Sequence, residues 1–197
     1  MSLVVTSQRI TAEKLGVSQL SELLGNNSSC FIQNGEGMIG WGEALRLTAT
    51  GATRFEELDD LWKKCVSEAT VDDQANLPSS GLIAFGSIAF ADGSESHSVL
   101  VVPQLIIGNV AGEFFITAVN TTIDQAIQQI APAVKQPPLT FIPGAISPEL
   151  FCSNVSKAID LITQGQISKV VLARDLVAET KKFNPNYGLA KMSERFA

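Results

Sequence analysis

Residues 147–177 read SPELFCSNVSKAIDLITQGQISKVVLARDLV, and the rules of local structure divide this stretch in two. Ser147 is a good helix N-cap. Pro148 suits the first helical position, where no amide hydrogen is needed, and Glu149 stands at the positive end of the helix dipole. Phe151, Val155, Ala158, Ile159 and Ile162 then recur on one helical face, and Gly165 follows where a left-handed cap is expected. These features predict a helix from Ser147 to Gln164. Past the Gly165 turn the period changes. Ser168-Lys169-Val170-Val171-Leu172-Ala173-Arg174-Asp175-Leu176-Val177 is an apolar, β-branched run that predicts a strand buried on both faces at its centre, with Lys169 where it begins.

Working upstream, Phe55 to Ala69 carries Phe55, Leu58, Leu61, Trp62, Cys65, Val66 and Ala69 at helical spacing between charged residues, which predicts an amphipathic helix. A weaker helical pattern, Leu15, Leu20, Leu23 and Leu24, spans Thr11 to Leu24. The residues Met1-Ser2-Leu3 are given no functional weight. Cys30 to Gln33 and Met38 to Leu47 flank a glycine-containing loop and predict a hairpin. Gly81 to Ala91, Val99 to Ile107 and Glu113 to Val119 read as successive strands, with Pro103 implying an edge or a break. Thr121 to Ala131 reads as a short helix, the proline-rich Pro132 to Pro143 as a connector, and Asn184 to Ala197 as the start of a further helix. Strands in runs with helices between them predict an α+β fold, a mainly antiparallel sheet with packed helices.

The 197 residues carry 14 Lys+Arg against 20 Asp+Glu, a net charge of −6, and 45% are hydrophobic, which excludes a disordered chain. Apart from Lys63-Lys64 and Lys181-Lys182 the basic residues are scattered, so no footprint for a phosphate backbone exists and nucleic acid is not an expected partner. Apolar runs such as Val99 to Pro103 fall far short of the roughly 18–20 residues a bilayer requires. With no leader segment either, the expectation is a soluble, unexported, cytoplasmic protein without a membrane partner.

Several chemical readings fail on their own context. Gly35, Gly37 and Gly40 satisfy a bare G-x-G-x-x-G, but Gly42 interrupts the helix that a phosphate loop would need, so a hairpin is expected instead. Asp59-Asp60 belongs to the polar face of the predicted helix rather than to a metal site. Cys30, Cys65 and Cys152 form no C-x-x-C pair and read as packed thiols in a reducing compartment. His97, the only histidine, lies in a polar turn and reads as a surface residue. The residues alone support a soluble α+β module and leave a non-catalytic binding role open.

The helix, the Gly165 turn and the Lys169-Val170-Val171-Leu172-Ala173-Arg174 strand resemble the N-terminal half of isochorismate synthases, members of the chorismate-utilising enzyme family. Gly40-Trp41-Gly42-Glu43-Ala44 and Leu100-Val101-Val102-Pro103 are similar to stretches of some of those enzymes. Pro185 to Phe196 resembles the family's Asn-Pro-then-Ser-Glu-Arg-Phe helix, so the likeness runs from about Gly35 onward.

The resemblance implies half of the chorismate-utilising fold, with residues 1–197 forming an N-terminal part whose C-terminal catalytic half is absent. It also implies the chemistry. The lysine matching Lys169 is the general base that activates water for attack on the chorismate ring, while a carboxylic acid and Mg²⁺ assist loss of the hydroxyl. An ordinary lysine is protonated in neutral water, and burial beside a cation is what turns one into a base. The product, isochorismate, feeds menaquinone or catechol siderophore synthesis. Lysine rather than glutamine at this position separates the chain from the ammonia-using anthranilate and aminodeoxychorismate synthases. Salicylate synthases, which share the lysine and then eliminate pyruvate, remain an alternative.

The Mg²⁺ ligands, the acid and most chorismate contacts are expected outside these residues, so the chain alone is expected to be inactive. A truncated, non-catalytic binding module is the competing reading. Surface left uncovered by a missing half leaves room for self-association. Arg174 and Glu194-Arg195 lie in the matching motifs without a catalytic duty. Arg174 falls on the opposite strand face from Lys169 and is expected in a structural ion pair.

Overall fold

The computed structural model describes residues 2–25, 28–128, 139–180, 185, 187–189 and 192. It divides into two units, Met1–Lys135 with Asn184–Ala197, and Gln136–Phe183. The architecture is α+β, and among the described residues every strand pairing but one is antiparallel.

In the first unit a six-stranded sheet is built from β1 (Val4–Ile10), β2 (Ser28–Gln33), β3 (Glu36–Trp41), β5 (Thr70–Asp73), β8 (Leu105–Val110) and β9 (Glu113–Val119). Its order is β2-β3-β8-β9-β1-β5. A three-stranded sheet orders β4 (Leu45–Ala49), β7 (Ser98–Val102) and β6 (Phe85–Ser87) as β4-β7-β6. The central strands β8 and β9 are apolar on both faces, and period two divides their side chains between clusters. Leu105, Ile107, Phe114, Ile116 and Ala118 join Ile39, Trp41 and the leucines at 20, 23 and 24. Ile106 and Phe115 pack on the other side with Ala75. A third cluster holds Leu3, Val5, Val102 and Val119, and Trp62 and Cys65 pack against it.

The pattern of the sequence and that of the structure part at identifiable points. Leu3 and Val5 are core residues, and β1 pairs with β9 from Val5↔Val119 to Ile10↔Phe114. Leu3, one of the residues given no functional weight, is thus part of the core. The helix predicted over Thr11 to Leu24 is a single turn, α1 (Ala12–Leu15), stopped at Gly16 with φ 69, followed by a 3-10 turn over Leu20–Leu23. The hairpin is present, turning at Asn34-Gly35. However, the run Met38 to Leu47 splits at Gly42, and β4 joins the other sheet.

A Cβ at Gly40 would lie 2.4 Å from Pro103, so this glycine permits close packing between strands rather than a ligand's approach. Pro103 breaks Val99 to Ile107 into β7 and β8, as its missing amide donor requires. Only Phe85–Ser87 of the expected Gly81 to Ala91 strand forms a ladder. Strand β5 pairs parallel with β1 from Val4↔Thr70 to Ser7↔Asp73.

Helix α2 (Arg54–Glu68) turns Leu58, Trp62, Cys65 and Ala69 inward and leaves Phe55, Leu61 and Val66 exposed. Its first residue, Arg54, is buried. The guanidinium donates to the carbonyls of Gly51, Ala89 and Phe90 at 2.8, 2.8 and 3.0 Å and to Asp92 Oδ1 at 2.6 Å. A short helix α3 (Ile123–Ile127) has a Thr122 capping box; residues from 129 to 138, with most of the predicted proline connector, lie outside the described residues.

The second unit holds β10 (Thr140–Pro143), α4 (Pro148–Thr163) and β11 (Leu176–Glu179). Helix α4 follows the sequence closely. Ser147 Oγ accepts the Leu150 amide at 3.2 Å, Pro148 opens the helix, and Gly165 takes φ 70. Gly165 N–H then bonds to Ile162 O and Gln166 N–H to Leu161 O, the two bonds of a Schellman cap.

The end of the expected connector is a strand, since Phe141 and Ile142 pair with Ala178 and Val177. The strand expected over Ser168 to Val177 is corrected more heavily. Residues 168–175 are irregular, and the ladder occupies 176–179 alone. A β-branched run becomes a strand only where a partner supplies the hydrogen bonds, and the partner here is four residues long. Of the predicted C-terminal helix, residues 185, 187–189 and 192 are helical and the rest lie outside the described residues.

Candidate functional site

Lys169 lies in the irregular segment between the Schellman cap of α4 and β11. Its side chain is exposed, with no hydrogen bond or ion pair among the described residues. Val170, Val171 and Leu172 beside it are exposed as well, Val171 by 81%, so the segment is not the doubly buried strand its composition suggests. No residue of α4 is buried, and Leu150, Ile159 and Ile162 of its apolar side are open to solvent. All four residues of both β10 and β11 are exposed. The unit is ordered locally by caps, turns and a short ladder. Asp175 adds to this order: its carboxylate accepts the Ala145 amide at 3.2 Å, and its carbonyl accepts the Gly144 amide at 3.3 Å.

With residues 168–175 outside any ladder, the alternation argument for Arg174 does not apply. Arg174 makes no ion pair within 4.0 Å among the described residues, but its charge is near enough to favour ionised Glu149. The Glu149 carboxyl is held below its ordinary range mainly by its own backbone amide and next by Ser147. Glu194 and Arg195 lie outside the described residues.

Other chemistry-bearing residues are placed plainly. Asp59 bonds to Lys63 at 2.6 Å, one helical turn on, and among the described residues no group of three or more His, Cys, Asp and Glu is arranged to hold a metal. Cys30 and Cys65 are half-buried and burial pushes both thiols up, while Cys152 on the uncovered α4 is exposed, contrary to a packed reading. His97 is exposed. Among the described residues no helix is long and apolar enough to cross a membrane.

Sequence reasoning overlooked one cavity. A cleft of about 480 Å³ lies where the end of β1 meets the β8–β9 turn, lined by residues 9–12, 14 and 112–114. Arg9 Nη1 bonds to Glu113 Oε1 at 2.7 Å, and its Nε donates to Ala75 O at 3.0 Å. Nothing in the sequence marks these residues, because pairing across β1 and β9 assembles them from positions about a hundred apart.

No curated protein matches the sequence significantly. Among solved structures, MenF, the menaquinone-specific isochorismate synthase from Escherichia coli, is similar at a TM-score of 0.49 and 16% identity. The similarity covers 90% of this chain and 42% of that one, so the chain spans less than half the length of that enzyme. A family model described as chorismate binding enzyme matches residues 2–197. On that match, which takes in both units from β1 to the C-terminal residues, the chain belongs to the chorismate binding enzyme family.

Proposed function

We propose that this chain is the N-terminal part of an isochorismate synthase, acting in the cytoplasm on chorismate, with Lys169 as the base that activates the attacking water. The observation that carries the reading is a lysine at position 169, within the motif resembling that family, in a chain matched over residues 2–197. The lysine favours water over ammonia as nucleophile. The product would feed menaquinone or a catechol siderophore, and pyruvate elimination, as in salicylate synthases, is the variant chemistry.

For Lys169 to take a proton it must be withdrawn from water or set beside a cation. As described it is exposed, amid uncovered Val170, Val171 and Leu172. The proposal therefore includes a further stretch of polypeptide, the catalytic half, that covers this segment and carries the acid. Mg²⁺ would neutralise charge developing on the substrate. Among the described residues no group of three or more His, Cys, Asp and Glu is arranged to hold it, so its carboxylate ligands would come from that other half. The same uncovered faces support self-association of the isolated chain as a second, non-catalytic outcome.

The test is an assay of chorismate conversion in Mg²⁺ buffer, comparing the 197-residue chain with a polypeptide read through past Ala197. The short chain is expected to be inactive and the long one active. Lys169→Ala in the long form should lower kcat by about 10²–10⁴, the usual worth of a general base. Rapid isochorismate formation by the short chain would overturn the half-enzyme reading, and full activity of the Lys169→Ala enzyme would overturn the base. Sedimentation of the short chain tests the covering surface, because a monodisperse monomer at high concentration points to a self-contained module.

A further inference from the structure

We infer that β2 is an interface strand, through which two copies of this chain pair antiparallel with Phe31 of one opposite Phe31 of the other. In the order β2-β3-β8-β9-β1-β5, one side of β2 has no strand beside it among the described residues. A row of free amides and carbonyls of this kind is ordinarily guarded by charge, by proline or by shortness. The other edges are guarded in these ways. Strand β5 carries Asp72 and Asp73, β4 carries Arg46, β11 carries Glu179, β10 carries Pro143, and β6 is three residues long. Strand β2, Ser28-Ser29-Cys30-Phe31-Ile32-Gln33, has six residues with neither a charge nor a proline. In a chain of net charge −6, an uncharged edge lets two copies approach with little local repulsion.

The register identifies the free groups. The hairpin turns through Asn34 and Gly35, at φ 53 and 77, a two-residue turn whose flanking pair, Gln33↔Glu36, exchanges both hydrogen bonds. Alternation then points the backbone groups of Ser29, Phe31 and Gln33 at β3, in keeping with Gly37, where a Cβ would collide with the Phe31 carbonyl oxygen. Those of Ser28, Cys30 and Ile32 point away from the sheet. The side chains alternate too. Cys30 and Ile32 pack against the cluster that holds Ile39 and Trp41, and Phe31, on the opposite face, is 65% exposed. Pairing about Phe31 sets Cys30 against Ile32 of the second copy, so their outward backbone groups exchange hydrogen bonds and the apolar layer continues across the junction. It also forms an aromatic cross-strand pair. The strand is thus complementary to itself, as a two-fold interface requires. The hairpin's tip is held in place, because Asn109 Nδ2 donates to Gly35 O at 3.4 Å and the Ala111 amide donates to Glu36 at 3.1 Å. This junction lies in the first unit, uses none of the uncovered faces of the second, and does not depend on the proposed chemistry.

The experiment is amide-resolved hydrogen exchange of the 197-residue chain, with its mass followed by sedimentation. Between about 50 µM and about 1 mM, exchange at Cys30 and Ile32 is expected to slow about fivefold or more, and at Ser29 and Phe31, already bonded to β3, to change far less. The mass should rise from 21.0 kDa toward that of a dimer. Phe31→Lys, a change at an exposed side chain that opposes two like charges, should weaken association about tenfold or more, and Phe31→Tyr should keep it within about threefold. Ile159→Lys, on the uncovered α4, should leave the dimer intact. The inference is overturned if exchange at Cys30 and Ile32 does not depend on concentration, or if Phe31→Lys associates as well as the unaltered chain. A dimer abolished by Ile159→Lys and kept by Phe31→Lys would place the contact on the second unit and overturn it too, while leaving the proposed function intact.

Discussion

A guanidinium with four hydrogen-bond partners and 4% of its side chain exposed is an uncommon use of the first residue of a helix, and Arg54 is in that position. A cation there opposes the helix dipole, so the favourable contribution comes from the three carbonyls it satisfies. Asp92, its charged partner, is 72% exposed, and that ion pair is screened by water. The two contributions are separable by mutation. Arg54→Met is expected to lower unfolding free energy by about 2–3 kcal/mol, because the Gly51, Ala89 and Phe90 carbonyls lose their donor. Asp92→Asn should cost less than about 1 kcal/mol. Denaturant titration of both variants checks the order, and a larger loss for Asp92→Asn would show the ion pair to be the main contributor. No sequence pattern announces Arg54. Its role depends on a loop 35–38 residues further on, whereas local rules reach only one helical turn. Lys169 is the converse case, legible as a letter in a motif while its surroundings are not.

At the scale of elements, α4 shows what local chemistry can specify by itself. Cap, first-turn proline, acidic residue and terminal glycine all lie within the helix and its flanks, and each is found where the sequence places it. The run 168–177 shows the limit of the same method, since a strand depends on a partner that its own residues cannot name. Glu149 offers a test of the cap. Its carboxyl is held below the ordinary range by the backbone amide, then by the Ser147 hydroxyl and more weakly by Arg174. A folded-state value below the unfolded one means that ionised Glu149 stabilises the helix above the ordinary carboxylate value. That contribution is lost as pH falls through the depressed folded value. A carbon-detected titration of Glu149 is expected to show the depression, and Ser147→Ala should raise the midpoint toward the ordinary value while weakening the helix by about 1 kcal/mol. An unchanged midpoint in Ser147→Ala would remove the hydroxyl from the account.

Among the described residues, the first unit owns three clusters of buried side chains and the second unit's helix and strands own none. Composition hides this contrast, because Phe141, Ile142, Ile159, Ile162 and Val171 are as apolar as any core residue. The hydrophobic pattern reports which faces must be covered and is silent on what covers them. Stability should follow burial. Brief trypsin treatment of the isolated chain is expected to cut first after Lys169 or Arg174, and after Arg9, Arg46 or Arg54 of the first unit far later. Initial cleavage at Lys63 or Lys64 would instead make α2 the weakest element.

The sheet's connectivity also sets a timetable for synthesis. Strand β1 finds its antiparallel neighbour β9 more than a hundred residues later, from Ile10↔Phe114 to Val5↔Val119. At about 5–20 residues per second, a ribosome exposes β1, with Val5 and Ile10 uncovered, for roughly 5–20 s before β9 exists. For the first and longer part of that interval β1 has neither of its sheet neighbours, and for the rest it has β5 alone, so an extended apolar segment stays uncovered while the sheet waits for its centre.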